Sequence, residues 1–418
     1  MHDFKYINKA FYCERVKISG LVKKFGTPLY VYSHHTLIDH FKKLQTAFKK
    51  INPLICYSVK ANSNLAILKS LVVCGAGLDI VSGGELFRAL SVKCPANKIV
   101  YASVGKKDEE IIEAIRRGIL FFNVESLAEL SNINRIAKKL NKIPNIAIRI
   151  NPDVEAKTHK FITTGKITNK FGIDFDNAYR ILFLRKNFSN VKICGLHIHI
   201  GSQITESEPF VAAINKVVRF INMLKDNQIN LEYLNIGGGL GIIYNNETPQ
   251  TALRYAQKVL PILEKTNLKI IMEPGRFIVG NAGILITKVL YVKKTPFKKF
   301  IIVDAGMNDL IRPALYDAHH QILPLTKSEN QKSKIKNQKY DVVGPICESA
   351  DCFAKDRFLP IVKEGDYLAI MSSGAYGFSM SSNYNSRVRA CEVMIDDKNV
   401  RVIRIRETNE DLIRNEKA

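Results

Sequence analysis

The chain has 418 residues, 46% hydrophobic and 24% charged, which is a globular composition with length for roughly two or three domains and excludes a disordered or low-complexity chain. Lys plus Arg outnumber Asp plus Glu by 62 to 39, giving +23, but the lysine pairs are scattered and no basic stripe interleaved with aromatics accompanies them, so a nucleic-acid partner is not expected. No charge-free apolar run reaches the ~18 residues of a membrane span, and the opening MHDFKYINKAFYCER lacks the apolar core of a signal peptide, so a cytoplasmic protein with no membrane attachment is expected.

In chain order, residues 1–32 precede a helix predicted over 33–50, with Leu37, Phe41, Leu44 and Phe48 on one face and Ser33 as N-cap. From residue 54 to 275 short apolar runs alternate with amphipathic stretches. The runs begin near Leu54, Ala76, Lys98, Ile119, Asn145, Val191, Leu231 and Leu268, and helices are predicted at Ser63–Val73, Gly83–Val92, Asp108–Arg117 and Glu125–Leu140. Near-continuous apolar strands separated by helices imply a parallel sheet covered on both sides. Eight such units in this span fit a closed (β/α)8 barrel, an α/β fold, over 33–283, with an open doubly wound sheet as the weaker choice. Beyond residue 283 the runs ILITKVLYVKK, KKFIIVDAG, YDVVGP, DYLAIMSS and RACEVMID read as strands mostly without helices. They predict a C-terminal β domain of sandwich or barrel type over 284–418, which segment 1–32 joins. The lysine-rich stretch 327–339 reads as a solvated loop.

The eight cysteines show no CxxC spacing, and several sit in apolar runs such as LVVCG, where a reduced Cys is an ordinary small core residue. Cys347, in the polar stretch GPICES, is the exception.

A barrel of this kind carries its active site at the C-terminal ends of its strands. Those ends hold Lys60 (YSVKAN), Asp79 (GLDIVSGGE), His197 and His199 (GLHIHIGSQ), the run Gly237–Gly239 (NIGGGLG), and Glu273 followed by Arg276 (EPGR). An isolated lysine at a strand end is usually a surface charge, but one desolvated in a barrel mouth can form a Schiff base. Three glycines can be only a tight turn, yet successive backbone N–H groups without side chains can also wrap a phosphate. Lysine and phosphate cradle together suggest pyridoxal phosphate. Glu273 could simply pair with Arg276. Beside a pyridine nitrogen, however, a carboxylate keeps that atom protonated and the ring electron-withdrawing, which suits loss of CO2, whereas an arginine there would suit a racemase. His197 is open to three readings: a satisfied core histidine, a metal ligand with His199 at i, i+2, or a ring stacked on a flat cofactor. No neighbouring carboxylate or Cys spacing supports metal, and none is expected.

With these residues and the blocks RINPDVEAKTHKFITTGKITNKFGI, DAGMNDLIRPALYDAHH, GPICESADCFAKDR and SGAYGFSMSSNYNSR, the chain resembles the meso-diaminopimelate decarboxylases among the barrel-fold pyridoxal-phosphate decarboxylases. The likeness runs over about residues 27 to 395, departing at Ala102-Ser103, where a Ser-Gly pair is common, and at Val388, where a proline is usual. It implies a lyase that converts meso-diaminopimelate to L-lysine and CO2, with pyridoxal 5'-phosphate held on Lys60. The same chemistry on ornithine, arginine or a carboxylated polyamine is the alternative. The resemblance further implies that Asp79 supports Lys60, that His197 stacks on the ring, and that Glu273 meets the pyridine nitrogen. Ser202, Gly238, Gly239, Gly275, the backbone of Arg276 and the Tyr376 hydroxyl would hold the rest of the cofactor. Arg276, Arg312, Tyr316, Glu348 and Tyr376 would bind substrate. Cys347 would act as proton donor from the neighbouring subunit of a homodimer.

Overall fold

The computed structural model describes residues 2–155, 170–327 and 337–417, so most of the loop expected at 327–339 lies outside the described residues. The chain forms two compact units, one of residues 40–242 and 248–277, the other of residues 1–39, 243–247 and 278–418.

The first unit is a closed barrel of eight parallel strands. They are Leu54–Ser58, Gly77–Ile80, Ile99–Ala102, Phe121–Val124, Asn145–Arg149, Lys192–His197, Tyr233–Asn235 and Lys269–Met272. Each pairs with the next, and the eighth closes on the first through Ile271↔Leu54 and Met272↔Ile55, so the sheet has no edge. The helices between strands start where side chains satisfy their first N–H groups: Asn64, Ser82, Ser126, Asp174 and Thr251 each cap a helix. Helix Asp108–Arg117 has three acidic residues in its first turn and two arginines in its last, the arrangement that the helix dipole favours, and left-handed Gly118 ends it.

Period-two alternation sends every second side chain inward. In the lower part of the barrel these are apolar: Cys56, Val100, Phe121, Ala147, Cys194 and Ile271 form one buried cluster. Two residues further along their strands the same face turns polar, as Ser58, Asn123, Arg149 and Glu273, all buried. That change marks the chemical end of the barrel.

The second unit is built on a sheet ordered Cys352–Leu359, Gln338–Val343, Lys299–Val303, Gly283–Lys294, Leu29–Ser33, Cys391–Asp396, Asn399–Arg404. Tyr367–Ile370 pairs with Gly283–Lys294 on one side and with Ile322–Pro324 on the other. Near the N-terminus, Phe4–Ile7, Ala10–Cys13 and Val16–Lys17 form a small antiparallel sheet. With helix Ile18–Phe25 it packs Phe4, Phe11, Ile18 and Leu21 into one core with Val31, Ile286, Met371 and Val393. Ser33 Oγ accepts from Thr36 N at 3.0 Å, the N-cap expected for helix His34–Ala47. The sequence pattern does not signal the strand Cys352–Leu359, because CFAKDRFL carries three charges in a row and lacks alternation.

Candidate active site

Glu273 follows the eighth barrel strand and is 3% exposed. Asn123 Nδ2 donates to its Oε1 at 3.0 Å and Asn235 Nδ2 to the same atom at 2.6 Å, while His197 Nε2 lies 3.1 Å from Oε2. Burial opposes ionisation of this carboxyl, but the charge and hydrogen bond of His197, with the Lys60 ammonium, outweigh it and hold Glu273 well below the usual carboxylate range. A buried anion is thus fixed at the centre of the barrel mouth. Around it, among the described residues, His197 Nδ1, Asn123 Oδ1 and Asp79 Oδ1 are buried polar atoms without a protein partner. Buried polar groups are nearly always satisfied, so this shell fits a polar ligand between them.

Lys60 sits in the single turn Val59–Ala61 that ends the first strand, and its Nζ lies 3.1 Å from Asp79 Oδ2. Asp79 is fully buried and also takes a hydrogen bond of 2.7 Å from Ser58 Oγ. Burial first, and the Glu273 charge second, push the Asp79 carboxyl upward, against the pull of Lys60 and Ser58. Glu85, at the start of the neighbouring helix, accepts from Val81 N at 2.8 Å, and burial pushes it up to about 7. Asp79 is thus the carboxylate in contact with the amine, while Glu85 and Glu273 feel its charge.

The glycine turn has its residue types forced by backbone approach. A Cβ on Gly238 would stand 2.0 Å from the Glu273 carbonyl oxygen, and one on Gly239, at φ +109°, 2.5 Å from the Gly201 carbonyl oxygen. Asn235 Oδ1 accepts from Gly237 N at 2.9 Å, and His199 Nδ1 accepts from Gly238 N at 3.2 Å. Burial, then the nearby Arg149 and Lys60 charges, push His199 well below the ordinary histidine range, which matches a neutral ring accepting a hydrogen bond. His197 and His199 thus serve different partners. Among the described residues no group of three or more His, Cys, Asp or Glu is placed to hold a metal. Arg276, 6% exposed, donates to Ser202 Oγ from Nε at 3.2 Å and Nη2 at 3.0 Å. Gly275 lies between Ser58 and Ala61, where an added Cβ would come within 3.0 and 3.1 Å of their Cβ atoms. Glycine turn, Ser202 and Arg276 form the kind of small cradle that suits a phosphate.

The barrel unit thus brings together Lys60, Asp79, His197, Ser202, Gly238, Gly239, Glu273, Gly275 and Arg276. Arg312, Tyr316, Cys347, Glu348 and Tyr376 belong to the second unit. Arg312 opens the short helix Arg312–Tyr316 and is 5% exposed. Cys347 is an exposed thiol beside exposed Glu348, and its N–H donates to Asn385 Oδ1 at 2.8 Å. Tyr376 has φ +56°, a left-handed conformation that a bulky residue adopts at a cost of about 1–3 kcal/mol and that is concentrated at functional sites.

Several further residues belong to the barrel mouth. Neither Asn123 nor Asn235 is singled out in the sequence, and the signal each carries is a polar residue on the inward face two positions after Phe121 and Tyr233. Behind them runs a buried chain of charges. Lys106 Nζ binds Glu129 Oε1 at 2.5 Å and the Asn123 carbonyl at 2.9 Å; Glu129 Oε2 accepts from Glu125 N at 2.8 Å; and Glu125 Oε1 pairs with Arg149 Nη1 at 2.7 Å.

Residues 34–280 match the family model described as the pyridoxal-binding domain of pyridoxal-dependent decarboxylases. The chain is 46% identical over 409 residues to the diaminopimelate decarboxylase of Neisseria meningitidis, covering 98% of this chain and 97% of that one. To the diaminopimelate decarboxylase of Aquifex aeolicus it is 47% identical over 404 residues, covering 96% and 94%. Among solved structures, the diaminopimelate decarboxylase of Helicobacter pylori complexed with L-lysine superposes with a TM-score of 0.91 at 44% identity, covering 95% of this chain and 98% of that one.

Proposed function

The chain belongs to the pyridoxal-dependent decarboxylases, and from that premise we propose that it converts meso-diaminopimelate to L-lysine and CO2. The observation that carries the reading is the Glu273 carboxylate, buried and held ionised by three partners. An anion of that kind suits a protonated pyridine nitrogen, and hence loss of CO2 in preference to racemisation.

Bound pyridoxal phosphate supplies the electron sink that amino-acid side chains lack. Lys60 would hold the cofactor covalently through its Nζ, which Asp79 would keep in place from 3.1 Å. Glu273 would hold the proton on the cofactor's pyridine nitrogen, and His197 would stack on the ring. Gly238, Gly239, Gly275, Ser202 and the Arg276 backbone carry the phosphate, joined by the Tyr376 hydroxyl. Arg276, Arg312, Tyr316 and Tyr376 bind the substrate's carboxylate end, where a planar guanidinium matches a carboxylate with two parallel hydrogen bonds. Glu348 takes the distal ammonium. The Cys347 thiol gives a proton to the carbon that CO2 leaves. Cys347 and Glu348 reach the site from the second subunit of a homodimer, and the enzyme works in the cytoplasm.

The test is CO2 release by the purified protein with added pyridoxal phosphate, offered meso-diaminopimelate, L-ornithine, L-arginine and L-lysine separately. Release from meso-diaminopimelate alone, with L-lysine formed, is expected. Release from ornithine or arginine instead would overturn the roles given to Arg312 and Tyr316.

A further inference from the structure

Arg312 is held by a histidine that the motif reading does not use. Its Nη1 lies 2.8 Å from His320 Nε2, and His320 Nδ1 lies 2.7 Å from the Met371 carbonyl oxygen. A guanidinium can only donate a hydrogen bond and a carbonyl can only accept one, so the two contacts fix the tautomer: the ring carries its proton on Nδ1 and accepts at Nε2. His320 is fully buried. The Tyr244 ring packs against both partners, edge-on to His320 with centroids 5.2 Å apart and under the Arg312 guanidinium at 4.6 Å. The His320 carbonyl is in turn bound by Arg357 Nη1 at 2.9 Å. A guanidinium with one face on an aromatic ring and one N–H anchored in its own plane has its orientation set, and bidentate recognition of a carboxylate depends on that orientation.

We propose that His320 is a positioning residue that aims Arg312 at the carboxylate retained in the product. The inference rests on the role given to Arg312 under Proposed function. It assigns His320 to selection for a second carboxylate and not to the decarboxylation step.

The test compares inhibition of the holoenzyme by L-lysine with inhibition by cadaverine, which keeps both amines and lacks the carboxylate. In His320→Leu, L-lysine inhibition should weaken by about tenfold, the scale of one misaligned charge-assisted hydrogen bond. Cadaverine inhibition should stay unchanged, and KM for meso-diaminopimelate should rise more than kcat falls. His320→Gln, whose side-chain oxygen can still accept from Arg312, should lose less, and it carries the comparison if the leucine variant no longer retains cofactor. Adding His320→Leu to Arg312→Ala should cost L-lysine nothing beyond Arg312→Ala alone. Equal weakening of both inhibitors, or additive losses in the double variant, would overturn the proposal. An Arg312→Ala protein with undiminished L-lysine inhibition would instead remove Arg312 from the substrate site, and the Proposed function would need revision there.

Discussion

Asn235 uses both ends of its amide: Nδ2 donates to Glu273 Oε1 at 2.6 Å and Oδ1 accepts from Gly237 N at 2.9 Å. One side chain therefore ties the glycine turn to the buried anion. Asn235→Asp keeps the shape but sets a second negative charge against Glu273, and like charges at that range raise a carboxyl's pKa. In the unaltered protein Glu273 is held below the ordinary carboxylate range, so its charge persists down through mildly acid pH. The variant should lose kcat about 100-fold or more, as when one electrostatic partner of a reacting site is removed. What remains should show an acid limb displaced to higher pH in the kcat profile. A variant with an unshifted profile would contradict this account.

Glu85 gives a pH dependence of stability with a definite sign. Burial raises its folded pKa from 4.5 to about 7, so the folded state holds a proton that the unfolded state has released between those values. Stability is therefore lost as pH rises from 4.5 through 7. Glu85→Gln removes the effect while keeping an acceptor for Val81 N. The gap between variant and unaltered protein should shift in the variant's favour by about 2 kcal/mol between pH 4.5 and pH 8, a figure discounted for partial solvent access. Urea titrations at the two pH values measure it.

Gly238→Ala and Gly275→Ala should differ in severity. The first puts a methyl 2.0 Å from a backbone carbonyl, the second 3.0 Å from a side-chain methylene that can give by a few tenths of an ångström. Cofactor absorbance after gel filtration should be nearly absent in Gly238→Ala and mostly retained in Gly275→Ala. Equal retention in the two would mean that the cradle does not depend on that backbone approach.

Lys106→Met strands the Glu129 carboxylate in the interior, where an unpaired charge costs about 3–5 kcal/mol. Burial already pulls the Lys106 pKa down and pushes Glu129 up, so the pair is held at the expense of both. Lys106→Met with Glu129→Gln should recover most of the loss, because the amide carries no charge and its oxygen can still accept from Glu125 N. Thermal melts of the single and double variants decide it: additive destabilisation would show that the pair is not the unit.

Lys60→Ala and Cys347→Ala should each be nearly inactive as pure proteins. If each site takes Lys60 from one subunit and Cys347 from the other, mixing after dissociation should restore about a quarter of normal activity, because half the dimers are hybrids with one intact site each. No recovery in re-formed mixed dimers would place both residues in a single subunit's site.

The barrel is legible in the sequence because its strands are near-continuous apolar runs and its helices keep a helical period, so that Gly83–Val92 and Glu125–Leu140 are read within two residues of the starts that Ser82 and Ser126 cap. Lys60, Glu273 and the glycines stand out because each departs from its surroundings. Asn123 and Asn235 do not, since one polar residue in FFNV or YLN is also what a fraying strand end looks like. The inward alternation becomes visible only once the register shows that Asn123 lies on the same face as Phe121. His320 is hidden for a different reason. Its meaning depends on Met371, which comes beside it only when Gln321 and Met371 pair across the second unit. Cys352–Leu359 is missed because Asp356 pairs with Lys339 on the neighbouring strand and Arg357 with the His320 carbonyl, which no local pattern records.

Leu29–Ser33 lies between Gly283–Lys294, antiparallel, and Cys391–Asp396, parallel, and all five of its residues are buried. On a ribosome its antiparallel neighbour emerges roughly 250 residues after this strand and its parallel neighbour roughly 360 residues after it. At ordinary elongation rates both strand edges wait unpaired for about 10–50 s, and one of them for about 20–70 s. The barrel segment can close during that interval, whereas the segment that precedes it cannot, so the nascent chain carries an exposed, aggregation-prone strand until those neighbours emerge.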